Sequence, residues 1–321
     1  MAKLEVNFEE SADTWDRFVS TSPQRSIFVE SRFLDSLGCR YDLVTCHEGG
    51  RIVAGAPVLY GDDDMPLAHA HPFTQYQGLL LDDRLGERAH SRISREQKTI
   101  DFVLGQIAGK HDSFALCQSW HPVDLRPFQW FNYNSPTDGT FSMQLRYTGV
   151  IALTGFETFE DYLASIRSVR RQEFKRASEA FSFAPSDDED VLDRLHEATF
   201  SRQGIERGPS ESGLVKGVTR RSIALGFGSL GVVRDGDTVV AATLFLHDDR
   251  SSYYLIGATD PAFRRTGAGT FVLLKMIERS LAAGTKEVDV VGVNSPNRGD
   301  FKTSFNARIE PFFICSFGQQ P

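Results

Sequence analysis

Cysteine is scarce in this 321-residue sequence, and Cys39, Cys46, Cys117 and Cys315 fall without C-x-x-C spacing. That excludes a zinc knuckle and gives no disulfide framework, so reduced, mostly buried thiols are expected. Long apolar runs are missing too. No stretch reaches the roughly 18 residues a membrane span needs, and the opening MAKLEVNFEESADTW has acids where a secretory leader carries its apolar core. A cytoplasmic protein without membrane insertion is therefore expected. Basic charge is not in excess: a formal charge of −8 argues against general nucleic-acid affinity, which requires a concentrated basic surface. Neither a G-x-S-x-G elbow nor a Cys-His signature supplies a side-chain nucleophile. His69 and His71 stand two apart near Asp62 to Asp64, but no third ligand has diagnostic spacing, so no metal site is expected.

What is present is ordinarily globular, with 40% hydrophobic and 24% charged residues, and unusually rich in Phe at 25. The length suggests two domains. The first half alternates helix and strand, with a hairpin through Gly49 and Gly50. A polar loop, NSPTDG, and the strand after it put the boundary near 148 to 158, giving domains 1–152 and 153–321. The second half opens with one helix across TFEDYLASIRSVRRQEFKRASEAF. Helices near 187–204 and 211–224 follow, then three strands turning at Asp235-Gly236 and Asp248-Asp249. A helix over 267–283 carries Leu273, Leu274, Ile277 and Leu281 as an apolar stripe and stops at Gly284. The strand EVDVVGV, a short helix around 297–305 and the strand RIEPFFICSF close the chain.

Two glycine-rich stretches compete for a phosphate. GFGSLG fits the dinucleotide pattern by letter, but a helix precedes it and a strand follows, the reverse of what a pyrophosphate at a helix N-terminus requires. DPAFRRTGAG has the right neighbours. The strand SSYYLIGATD leads into it and the long helix leaves it, so unpaired N–H groups and the helix dipole meet an approaching anion. Arg264 and Arg265 can add charge-assisted bonds, and Thr266, Gly267, Ala268 and Gly269 complete the loop.

Arg264, Gly267 and Gly269 in this strand-loop-helix setting resemble the pyrophosphate loop Q/R-x-x-G-x-G/A of the GNAT superfamily of acyl-CoA N-acyltransferases. PFTQYQG, DLRPFQWFNY, SIRSVRRQEFKRA, GATDPAFRRTGAG and GVNSPNRGDFKTSFNA, in this order, resemble the FemAB-related branch over nearly the whole chain. The resemblance implies an α+β fold of two tandem GNAT-like domains, each a mixed, mostly antiparallel sheet flanked by helices. Acyl-CoA is then a co-substrate, with no tightly bound cofactor, and a small-molecule amine is the acceptor. Aminoacyl-tRNA serves as donor only under the alternative of a transferase acting on a peptidoglycan precursor; a binding module that has lost chemistry is a further alternative.

Candidate residues follow. Arg167, Arg170 and Arg171 lie on a basic helix, where like charges repel unless an anion binds. Asn294 and Arg298 sit in a polar loop after a buried strand, and the resemblance points to Lys302 and Phe305 as part of the substrate pocket. His71, Gln75 and Tyr76 are read as an acceptor-binding loop. Acyl transfer from a thioester needs a neutral amine, an oxyanion donor and a proton for the thiolate. The resemblance implies a backbone N–H on the strand before the phosphate loop, around Ile256 to Ala258, for the second role; Asp289 fits the base, and either Tyr253 or Tyr254 the acid, since alternation puts the two tyrosines on opposite faces.

Overall fold

A computed structural model describes residues 3–83, 87–121, 123–202 and 204–318. The chain forms two compact units, one from residues 1–146 and 311–321, the other from 147–310.

The first unit begins with β1 (Leu4–Asn7), α1 (Ala12–Thr21) and α2 (Ser31–Leu34), then β2 (Tyr41–Glu48), β3 (Arg51–Leu59) and β4 (Leu80–Leu81). The strands form an antiparallel sheet in the order β1-β2-β3-β4. Gly49 and Gly50, both at positive φ, turn β2 into β3 as the pattern predicts. Helix α3 (Ala89–Lys110) follows and packs Ile100, Val103, Leu104 and Ile107 into the core. After β5 (Phe114–Gln118) and α4 (Arg126–Trp130), β6 (Phe141–Ala152) leaves this unit. The abundance of Phe is explained here: Phe114, Phe128, Phe131 and Phe317 all surround Phe141 at centroid distances of 5.2 to 5.6 Å, spacings at which edge and offset ring contacts are favourable.

In the second unit α5 (Phe159–Ser165) starts on a capping box between Thr158 and Asp161. It is followed by α6 (Ser168–Ala180), β7 (Ser182–Ser186), α7 (Glu189–Ser201), α8 (Pro209–Ala224), β8 (Gly228–Asp235), β9 (Thr238–His247), β10 (Ser251–Thr259), α9 (Ala268–Ala282), β11 (Glu287–Asp289), α10 (Pro296–Thr303) and β12 (Arg308–Phe317). The strand order is β6-β11-β10-β9-β8-β7. The β10–β11 pair is parallel, and the other pairs with a described register are antiparallel. Helix α9 is buried along Leu273, Leu274 and Ile277 and ends before Gly284 at φ +76°.

Two expectations change. The single helix over 158–181 is broken, because Ile166 and Arg167 are extended and the Arg167 N–H bonds the Ser304 carbonyl at 3.1 Å instead of continuing the helix. The division falls inside β6, and the last strand returns to the first unit, where Phe313–Phe317 pair with β5. A linear boundary cannot express either crossing. The GFGSLG stretch connects α8 to β8, with Gly228 against Ser222, as its neighbours predicted. Among the described residues no helix is long and apolar enough to cross a membrane.

Candidate functional site

In the second unit β10 and β11 pair in register only as far as Tyr253 and Asp289. Beyond that point Val290 and Val293 direct their N–H groups to Gly149 and Tyr147, while Asp260 still bonds Val240 at 2.8 Å on the β9 side. The two strands part like a fork. A bulge between Tyr254 and Ile256 re-aims the residues of β10 beside the opening. A cavity of about 370 Å³ lies against this half of β10, where Tyr254, Gly257, Ala258 and Thr259 form one wall.

The loop after β10 supplies the next wall. The Asp260 carboxylate accepts the Ala262 N–H at 2.9 Å, a short turn runs over Pro261–Phe263, and Arg264, Gly267 and Gly269 face the cavity as α9 begins. Both glycines are required by their surroundings. Gly267 has φ +89°, and a Cβ there would stand 3.0 Å from the Glu173 carbonyl oxygen; a Cβ on Gly269 would stand 2.8 Å from Thr259 Oγ1. Thr266 serves the turn itself, donating to the Phe263 carbonyl at 2.7 Å and accepting the Ala268 N–H at 3.3 Å. Ala268 is fully packed, and Arg265 is exposed and does not line the cavity.

Side chains from three helices close the site. From α6, Arg170 donates to Glu173 at 2.7 Å, and the same carboxylate oxygen accepts the Thr270 hydroxyl at 2.6 Å. Thr199 comes from α7 and Arg202 from the residue capping its C-terminus, and from α10 comes Phe301, whose ring lies 4.7 Å from the Arg170 guanidinium. Among the described residues neither Arg202 nor Arg264 has a carboxylate at ion-pair distance, and Glu173 is the one acid lining the cavity. The electrostatic balance is positive, although the chain as a whole is acidic.

The two tyrosines part company as alternation predicts. Tyr254 lines the cavity with its hydroxyl against Gly257, and burial pushes its phenol up to about 12. Tyr253 faces elsewhere, donating to Asp248 at 2.6 Å, and does not line the cavity. Lys302 lies 5.2 Å over the Tyr254 ring and donates to the carbonyls of Val291 and Gly292. Burial draws its ammonium down to about 8, with Arg298 adding and Asp289 opposing. Those carbonyls are offered by an unusual turn: Val291, β-branched, sits at φ +33°, a strained conformation of the kind that clusters at functional sites.

Several expected site residues do other work. Asp289 is 1% exposed and spends one oxygen on the Thr148 hydroxyl at 2.6 Å and the Val291 N–H at 2.9 Å, so it holds the strained turn. Ile256 is buried and its carbonyl accepts the Thr243 hydroxyl at 2.8 Å; Ala258 does line the cavity. Of the three arginines on the basic helix only Arg170 reaches the cavity: Arg167 pairs with Asp300 at 2.6 Å and Arg171 donates to the Ala164 carbonyl at 3.3 Å. Asn294 pairs reciprocally with the backbone of Tyr147, at 2.7 and 2.8 Å, extending the ladder. Phe305 is core, fully buried beside Phe301. Arg298 is exposed, and its charge acts on Tyr254, Lys302 and His196.

His71, Gln75 and Tyr76 belong to the first unit, and none lines this cavity. Tyr76 is core between the rings of Phe28 and Phe312. The His71 Nδ1 accepts the Phe73 N–H at 3.2 Å, and burial, with His69 nearby, lowers its pKa to about 4. The polar and aromatic lining residues that sequence reasoning missed are Glu173, Thr199, Arg202, Thr259, Thr270 and Phe301, with Ala242, Pro261 and Val272 as further small or apolar ones. Glu173 and Phe301 lay inside quoted motifs, but on α7 nothing in the local pattern marks Thr199 or Arg202.

Comparison with known proteins supports the same architecture. Residues 161–303 match the family model described as an acetyltransferase (GNAT) domain. A structure of FemX has a TM-score of 0.67 at 12% identity over 96% of each chain. A tandem GNAT protein from the clavulanic acid biosynthesis pathway, solved without AcCoA, has a TM-score of 0.57 at 11% identity, covering 99% of this chain and 100% of that one. L-PGS from Bacillus licheniformis has a TM-score of 0.51 at 9% identity over 99% and 95%. No curated protein matches the sequence. Residues 161–303 of the second unit are thus similar to a GNAT acetyltransferase domain, and the chain has a GNAT-like α+β fold. More particularly, its fold is similar to that of FemX and of the tandem GNAT protein.

Proposed function

We propose that the protein transfers an acyl group from acyl-CoA to a primary amine, and that the amine is an amino sugar or related precursor of a cell-envelope polysaccharide. The observation that carries the donor assignment is the Arg264-Gly267-Gly269 wall. Two glycines without Cβ, an arginine with no carboxylate partner among the described residues, and the start of α9 form one side of a cavity with a positive balance. A diphosphate satisfies the first unpaired N–H groups of the helix and the guanidinium together. The acceptor class rests on the sequence resemblance.

Each chemical role then has a residue. The bond from Asp260 N–H to Val240 fixes the phase of β10, and alternation turns the Gly257 N–H away from β9 towards the opening. It donates to the oxyanion formed when the amine attacks the thioester carbonyl. Lys302, drawn down to about 8, takes the amine's proton when neutral. Tyr254 returns a proton to the departing CoA thiolate. Asp289 acts at one remove by holding the turn that holds Lys302.

The tRNA-dependent alternative calls for a continuous basic surface through Arg167, Arg170 and Arg171; two of these are neutralised by Asp300 and Glu173, which favours CoA. Mass spectrometry of ligands retained on the purified protein, with thiol release measured across acyl-CoAs and amines, tests the reading. Consumption of a thioester, with acyl-CoA affinity lowered about 10- to 100-fold by Arg264→Ala, is expected. If charged tRNA is consumed and no thioester is, the donor assignment fails. Acyl-CoA capture unaltered by Arg264→Ala counts against the phosphate site.

A further inference from the structure

One arginine in the cavity wall is held from three sides by the fold itself. The Arg170 side chain, from α6, is 15% exposed. Its Nε donates at 2.8 Å to Ser304, the residue capping α10, and the Ser304 hydroxyl gives its own proton to the Phe301 carbonyl, so the acceptor is oriented too. Its Nη1 donates at 2.7 Å to Glu173 Oε2, the oxygen that the Thr270 hydroxyl of α9 reaches at 2.6 Å. The guanidinium carbon lies 4.7 Å from the centre of the Phe301 ring and 5.9 Å from that of Phe305. Through one side chain, α6, α9 and α10 are joined.

A guanidinium carries five N–H bonds and accepts none. Ser304 and Glu173 account for Nε and Nη1, whereas Nη2, with both of its hydrogens, has no partner among the described residues and is not shut away from solvent. Arg170 lines the cavity, so Nη2 opens onto it. An arginine free in solvent must surrender its rotamers to bind an anion; here folding has already fixed them. Pairing with Glu173 weakens the field of Arg170 at a distance, but at contact its N–H groups still point at the ligand.

The same Glu173 backs the phosphate loop at two points. Its carbonyl oxygen stands 3.0 Å from where a Cβ on Gly267 would be, and its carboxylate holds Thr270 in the first turn of α9. The group that fixes Arg170 therefore also fixes the helix start assigned to the diphosphate. Arg170 lies outside the strand-loop-helix of Arg264 and supplies a second donor from another element.

Resting on the acyl-CoA reading, we propose that Arg170 Nη2 donates to a phosphate of the CoA donor, the diphosphate or the ribose 3′-phosphate, and that Glu173 is the positioning residue that holds it there.

The full chain is titrated calorimetrically with CoA and with dephospho-CoA, which lacks the 3′-phosphate, and phosphorus NMR spectra are recorded on bound CoA at saturation. Arg170→Gln is expected to weaken CoA about 10- to 100-fold. If the 3′-phosphate is the one held, dephospho-CoA binding moves less than about 2-fold and only the 3′-phosphate resonance shifts between wild type and variant. If it is the diphosphate, both ligands weaken alike and only the diphosphate resonances shift. Affinity within about 2-fold of wild type for both ligands overturns the proposal. So does a loss of affinity with every phosphate resonance moving together, or with none moving, because the arginine then shapes the cavity without touching a phosphate. Where Arg170→Gln does not fold, Arg170→Lys, which keeps the charge and loses the fork, carries the same comparison. Glu173→Ala should reproduce the pattern of Arg170→Gln, and Glu173→Gln, which keeps an acceptor oxygen for Arg170 and Thr270, should stay within about 3-fold of wild type. A Glu173→Ala chain that binds CoA like wild type removes the positioning role. Wild type that binds no CoA overturns the donor assignment and this proposal together; CoA binding that is lost in Arg264→Ala but unmoved in Arg170→Gln overturns this one alone.

Discussion

Replacing Gly267 by Ala tests the phosphate loop through its backbone rather than its charge. An L-residue held at φ +89° costs about 1–2 kcal/mol. The new Cβ stands 3.0 Å from the Glu173 carbonyl oxygen, below the 3.4 Å of ordinary contact, and the obstacle is backbone of α6, which cannot rotate aside. Displacing packed helices by a few tenths of an ångström costs about another 1–3 kcal/mol. Reduced freedom of the unfolded chain returns about 0.4–1 kcal/mol, leaving a loss of about 1–4.5 kcal/mol. For a unit of this size that lowers Tm by about 2–18 °C. Gly284, at the other end of α9, supplies the control: its φ is +76° and nothing lies within 4 Å of a Cβ built there. Gly284→Ala should cost only the backbone difference, about 0.5–1 kcal/mol. Scanning fluorimetry and calorimetric titration with CoA read both effects. Gly267→Ala should also bind CoA about 10-fold or more weakly, because the first turn of α9 shifts, whereas Gly284→Ala should bind normally. Equal melting points and equal CoA affinities for the two variants would refute the contact argument.

Tyr254→Phe should lower kcat about 10- to 100-fold with little change in Tm, whereas Tyr253→Phe should spare kcat and cost about 1–3 kcal/mol, because Asp248 loses its 2.6 Å donor; the reverse pattern means the wrong tyrosine faces the thioester. With Lys302 drawn down to about 8, log kcat/KM should rise with pH and level off near that value, and Lys302→Arg, charged throughout, should abolish the rise; an unchanged profile in Lys302→Arg removes lysine from the proton path. His71, His196 and His247 are each held to about 4 by burial against an ordinary 6.5. Below about 6.5 the unfolded imidazoles bind protons that the folded ones refuse, so stability falls as pH falls and the loss is complete near 4. Each site contributes at most about 2 kcal/mol of that loss by pH 5, less for the partly exposed His196, and a Tm that is flat from pH 7 to 5 contradicts the burial of these rings.

Legibility in the sequence followed the range of the forces involved. Gly284, the Gly49-Gly50 hairpin and the strand-loop-helix around Arg264 were readable because each is decided by the conformations of adjacent residues. Whether Arg170 or Arg171 faces the cavity turns on one step of about 100° around a helix, and the unforeseen break at Ile166 reset that phase. Tyr76 and Phe305 lay in motifs yet proved to be core, since an aromatic ring reads alike in a pocket and in packing. Thr199 and Arg202 reach the site because α7 packs near β10, a tertiary fact without a local signature. Asp289 was legible as buried and polar; that its acceptor capacity goes to a strained turn was not.

The route of β6 and β12 has a consequence during synthesis. Residues 147–310 are contiguous and can condense as soon as they clear the ribosome, while the first unit must wait for the strand that supplies Phe312, Cys315 and Phe317. Until then β5 has a bare edge, and its apolar neighbours lie open to chaperones or to a strand from another nascent chain. The later-coded unit therefore completes first, and a stop codon near 310 should leave a finished second unit attached to an aggregating first one.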